Sequence, residues 1–168
     1  MAWTNPYDTD VAFTQTNLDG IASSSTLIAG WTSASVTTAA DDYLLSGTFQ
    51  VESSGLSAGE IRVYVYTILD DAPTWPDVFS AGTEGTEGTA TIHDTEIRDG
   101  AFTMVWSCVT DTGASDKYSM PQTAIAQFFG GVLPEIWAVF VTQSSGNTLE
   151  TTGDPNQVYR TPIIFAGP

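Results

Sequence analysis

Residues 60–79 read EIRVYVYTILDDAPTWPDVF, and the fold class follows from how that stretch divides. From Ile61 to Leu69 every residue except Arg62 and Thr67 is aliphatic or aromatic, which leaves neither face of an extended chain clearly polar. Such a run belongs to a central strand covered on both sides. A buried helix competes for any short apolar run, but the β-branched and aromatic content, the length and the turn residues on both sides favour a strand. Asp70, Asp71, Pro73 and Pro76 then forbid continuation, since proline lacks the N–H that a ladder needs. The second half of the stretch is therefore a long, stiff corner.

Working outward, Glu135–Gln143 (EIWAVFVTQ) is again apolar on both faces and reads as a second central strand. Tyr43–Glu52 instead alternates, with Tyr43, Leu45, Phe49 and Val51 opposite Ser46, Thr48, Gln50 and Glu52, as a half-buried strand does. Ala101–Thr110 is a further strand that places Phe102, Met104, Trp106 and Cys108 on one face. Val11–Thr16 is a short strand, Ile21–Val36 approaches Trp31 through serines and threonines, and Gln157–Phe165 closes the chain as a strand that Pro162 assigns to an edge or bulge. Pro121–Phe129 suits a helical turn or a short strand equally. Asp111–Ser119 reads as a loop, and Ser80–Thr91, which repeats Gly-Thr-Glu, reads as an exposed, mobile loop with little to bury.

These segments give about eight strands joined by Gly-, Pro-, Asp- and Ser-rich loops, with no βαβ pattern. The expected fold is all-β: a single-domain antiparallel β-sandwich, jelly-roll-like, over residues 11–168, preceded by an irregular N-terminal arm at residues 1–10.

Composition narrows the function. The chain of 168 residues carries 20 acidic against 4 basic residues, a net charge of −16. That argues against a nucleic-acid partner, which needs Lys and Arg at its phosphates, and against anionic membrane surfaces. The 42% hydrophobic content separates it from an acidic disordered tail. Cys108 is the sole cysteine, so no internal disulfide forms, and it reads as inert core. The N-terminus lacks the basic start and apolar stretch of a signal peptide, which leads to an expectation of synthesis in the cytosol without standard export.

Catalytic chemistry finds little support. His93 is the only histidine, which leaves a Ser-His-Asp arrangement or a multi-histidine metal site resting on one residue, so no catalytic residue, metal ligand or cofactor is assigned and the chain is read as non-enzymatic. Asp41-Asp42 and Asp70-Asp71 are adjacent pairs whose side chains on a strand point to opposite faces, which suits a solvated acidic surface better than acid/base catalysis or a calcium loop. Trp31, Trp106 and Trp137 sit in apolar strand contexts and read as core. Trp75 and Phe79 in the proline corner, with Trp3 and Tyr7 in the arm, lie instead in polar and proline-rich surroundings; they are the candidate contact surface, because aromatics are enriched at interface hot spots.

Three stretches, SSSTLIAGWTSASV (Ser23–Val36), IRVYVYTILDDAPTWPDVF (Ile61–Phe79) and FGGVLPEIWAVFVTQSSGNTL (Phe129–Leu149), together resemble small virion structural proteins of tailed bacteriophages that decorate or cement the icosahedral head. The resemblance implies a jelly-roll sandwich, a homotrimer on the capsid exterior that bridges major capsid proteins, and assembly in the host cytoplasm. The alternative is a glycan-binding β-sandwich module on a virion surface or tail fibre, using an exposed aromatic platform.

Overall fold

The computed structural model describes residues 6–52, 57–70, 74–112 and 116–165. Within them the strands in chain order are β1 (Val11–Ala12), β2 (Ala29–Thr32), β3 (Val36–Thr37), β4 (Asp42–Gln50), β5 (Gly59–Thr67), β6 (Phe79–Ala81), β7 (Gly88–Ile92), β8 (Thr103–Thr110), β9 (Lys117–Ala124), β10 (Ile136–Gln143) and β11 (Gln157–Ile163). Helix α1 (Thr95–Ala101) precedes β8, and a 3-10 turn (Ala126–Phe129) follows β9.

The strands form two antiparallel sheets, ordered β1-β11-β4-β9 and β6-β7-β2-β10-β5-β8, with β3 pairing the start of β10. Successive strands cross between the sheets, from β3 to β4, β4 to β5, β8 to β9, β9 to β10 and β10 to β11, in the jelly-roll-like manner. Two sheets each with one apolar inner face bury that face against the other, which makes the β-sandwich.

The two doubly apolar stretches, β5 and β10, pair with one another in the middle of the larger sheet. Their alternate residues feed two separate cores. Ile61, Val63, Val65, Trp137, Val139 and Val141 point inward, where they meet Tyr43, Leu45, Phe49 and Val158 of the smaller sheet. Tyr64, Tyr66, Ala138 and Phe140 point outward, and there Val78, Phe79, Ala90, Ile92 and Phe102 close over them. The proline corner thus folds back over the outer face of the sheet that it leaves. Helix α1, capped by Asp94, whose side chain accepts from Ile97 N at 2.7 Å, adds Ile97 to the same cover.

Several expectations give way here. Ser80–Thr91 is a docked hairpin of β6 and β7, not a mobile loop: Ala90 and Ile92 are buried, and both glutamates of the repeat are bound by the rest of the chain. The face expected for β8 splits at a bulge opposite Val63 and Tyr64. Phe102 lies in the outer core, Met104 is exposed, Val105 turns inward, and Trp106 stacks on Phe49 at 5.7 Å at the rim of the inner core. A period-2 reading cannot survive the extra residue of a bulge. Cys108 is only half-buried because β8 is an edge strand.

Strand β9 begins at Lys117 and takes in part of the expected loop, and of the expected short strand at 11–16 only Val11–Ala12 pairs. Leu69 lies beyond β5 and is exposed. Pro162 stands inside β11, but β11 lies between β1 and β4 with no bulge at the proline, so the expected edge or bulge is not found; its carbonyl accepts from Asp8 N, so the side of the strand where it lacks an N–H faces the arm and not β4.

Candidate functional site

The four aromatics proposed from sequence as a contact surface are not brought together as one. Trp3 and Asp71 lie outside the described residues. Phe79 is 6% exposed and packs between Tyr66, Phe102 and Phe140, so it is outer-core packing and is withdrawn as an interface residue. The corner turns it onto the sheet together with Val78. Trp75 is half-buried, with its ring 5.2 Å from Tyr66 and its edge against Gly85, where a Cβ would stand 2.6 Å from the indole. Of the three described, only Tyr7 is well exposed, beside Ile163 at the start of the arm's pairing with β11.

Groups suggestive of chemistry in the sequence are held in structural roles. His93 is half-exposed, with Nε2 3.7 Å from the Asp77 carboxylate. Asp42 Oδ1 accepts from Tyr43 N and Ala126 N, Asp41 Oδ2 accepts from Phe165 N, and Asp70 Oδ1 accepts from Thr74 N. Asp41, Asp42 and Asp70 thus cap backbone. Among the described residues no three His, Cys, Asp or Glu side chains gather as a metal-binding set, and no helix is long and apolar enough to cross a membrane.

The three arginines are also engaged. Arg98 is buried; it donates to both oxygens of Asp99 and to Thr26 O, bonds that hold the guanidinium charged and keep the Asp99 carboxyl below its ordinary range. Arg62 donates to Glu60 and Tyr64, and its pKa rises for that reason. Arg160 lies over the Phe13 ring at 5.4 Å. Burial raises the Tyr66 phenol, while its bonds to Thr32 Oγ1 and Gly85 N work the other way.

Two shallow clefts flank residues 13–22, one of about 330 Å³ and one of about 260 Å³. The first is lined by Thr16, Asn17, Asp19, Ala29, Thr89 and Thr91; the second by Phe13, Gln15, Asp154, Asn156 and Gln157. Neither presents a tryptophan or tyrosine on which a sugar ring would stack. Phe13, the one aromatic, is buried with its face under Arg160.

The surface feature that stands out is at the other end of the sandwich. There β5 ends at Thr67 opposite Trp137, β4 begins at Asp42 opposite Ile163, and β9 ends at Ala124 opposite Leu44. Loops and termini are tied around these strand ends: Ile164 N donates to Pro6 O, Asp41 N to Ile163 O, Ile125 N to Tyr43 O, and Thr38 Oγ1 to Pro134 O. Among the described residues nine large hydrophobic side chains are exposed, and six of them, Tyr7, Leu69, Phe128, Val132, Ile164 and Phe165, belong to these loops and termini. Phe165 is 66% exposed and Val132 74%. The sequence carried a signal for this in Ile164-Phe165 after Pro162 and in Val132 between Gly131 and Pro134, apolar residues set among chain breakers where no strand continues.

Comparison with protein-family models, with curated proteins and with solved structures found no match to this chain.

Proposed function

We propose that this chain is a non-enzymatic virion structural protein that decorates or cements the head of a tailed phage by bridging copies of the major capsid protein, as a homotrimer on the capsid exterior. The observation that carries the reading is the apolar end of the sandwich: six large exposed hydrophobics belong to loops and termini at that one end, and grouped exposed hydrophobics mark a protein-contact surface. A lattice subunit works through such a face, presented by a rigid body, and many copies make a modest contact sufficient. The resemblance of Ser23–Val36, Ile61–Phe79 and Phe129–Leu149 to head-decoration proteins points the same way. Glycan binding is the alternative; the two clefts beside residues 13–22 offer it no exposed aromatic platform.

The test is occupancy on purified empty heads that lack the protein, with copy number and particle resistance to heat measured after addition. Stoichiometric binding at fixed lattice positions is expected. Absence of binding to heads, together with retention of a defined oligosaccharide on a glycan array, would sink the reading in favour of the glycan module.

A further inference from the structure

We infer that the apolar end of the sandwich docks a protein surface that is hydrophobic at its centre and rimmed by lysine or arginine. This names the chemistry of the partner in the assembly reading above and rests on it. Charge complementarity selects this partner. Around the exposed hydrophobics stand Asp8, Asp41, Asp70 and Glu135, all exposed, with Asp42 half-buried among them. The cations lie elsewhere. Lys117 pairs with Gln50 and Arg62 with Thr142, both toward the opposite end of the strands; Arg98 is locked to Asp99 and Thr26 O. The nearest, Arg160, is three residues down β11 and turned over Phe13.

A second copy presented face to face would set one acidic rim against another. Like-charge juxtaposition of this kind opposes pairing, whereas a basic rim is attracted and oriented by it. The apolar centre then supplies what charge cannot, since rim charges chiefly set on-rate and register.

The experiment needs no particle. Amide chemical shifts of the purified chain are followed on titration with a helical peptide that has a leucine face rimmed by lysines. Matched peptides carry glutamate for lysine, or serine for leucine. The Leu/Lys peptide is expected to shift residues near Val132 and Phe165, to bind more weakly as salt is added, and to lose about tenfold in affinity against the double variant Val132→Ser/Phe165→Ser. Val109→Ser, exposed at the other end, serves as the control and leaves affinity unchanged.

Shifts spread over the whole acidic surface, with the Ser/Lys peptide binding as well as the Leu/Lys one, would overturn the site as mere charge attraction. Equal binding of the Leu/Glu peptide would overturn the basic rim. A chain mass that doubles with concentration and reverts in the double variant would assign the face to a second copy instead. Heads discriminate the two readings: wild type and double variant binding alike would remove this face and leave the assembly reading standing, while wild type failing on heads removes the assembly reading whatever the peptide does.

Discussion

Glu87 receives three hydrogen bonds on one carboxylate, from Trp31 Nε1 at 2.9 Å and from the backbone and side-chain nitrogens of Asn17 at 3.0 Å each. Trp31 is fully buried, so removing the carboxylate takes away the partner of its indole N–H. Glu87→Ala should cost about 2–3 kcal/mol in urea unfolding, and Glu87→Gln less, since hydrogen bonds to a charged group are worth about 1.5–3 kcal/mol. Trp137 offers the contrast: its Nε1 is buried with no hydrogen-bond partner, so Trp137→Phe forfeits volume but no bond, and should destabilise less than Trp31→Phe. Tyr66 makes the same physics visible in pH. Burial raises its phenol above the ordinary 10.0, so the folded state holds that proton at a pH where the unfolded chain has lost it. The associated stability is complete below pH 10 and is lost as pH rises through the folded value. Tyr66→Phe should therefore flatten the alkaline fall in stability measured above pH 10, leaving the part due to Tyr118, whose phenol is also raised by desolvation.

The hairpin of β6 and β7 is the element whose behaviour the sequence misled about most. Gly-Thr-Glu repeated twice has nothing apolar to bury, and periodicity assigns it to solvent. What docks it is polar: Glu84 Oε1 accepts from Val78 N and Phe79 N at 3.2 Å, Ser35 N donates to Gly85 O, and Gly85 N donates to Tyr66. Partners as distant in sequence as Asn17 and Glu87 leave no local pattern to read. Strands β4, β5 and β10 were legible because burial of one or both faces writes a period directly into side-chain type. Helix α1, only seven residues long, and the bulge in β8 left no such trace. The doubly apolar character of β5 and β10 announces covers on both faces, but not that the second cover is the chain's own proline corner, which is why sequence alone points Phe79 toward a partner. Replacing residues 82–87 by a two-residue turn should thus lower stability by several kcal/mol, with near-ultraviolet circular dichroism from the outer aromatics collapsing. Gly85→Ala alone should cost at least about 1 kcal/mol, because φ there is +65° and the added methyl meets Trp75. An unchanged melting curve for either variant would show that the hairpin is held far more loosely than its contacts require.

At the scale of the whole molecule, the 20 acidic residues spread over 8201 Å² stand about 20 Å apart, the square root of area per acid. That spacing lies inside the screening length of about 30 Å at 0.01 M salt and well outside the roughly 8 Å of physiological ionic strength. Self-repulsion should therefore weigh on the folded state only in dilute buffer, where net charge opposes the compact form. The melting temperature should climb with sodium chloride from 0.01 M and level off near about 0.15 M, since at that point the charges no longer sense one another across the mean spacing. Docking onto a basic-rimmed surface has the opposite dependence, because there the screened term is attractive. One salt titration reads both slopes: thermal melts of the free chain rise while affinity for the Leu/Lys peptide falls over the same range. Parallel slopes would mean that apolar burial alone drives the contact and that the acidic rim around Val132 and Phe165 takes no part in choosing what sits there.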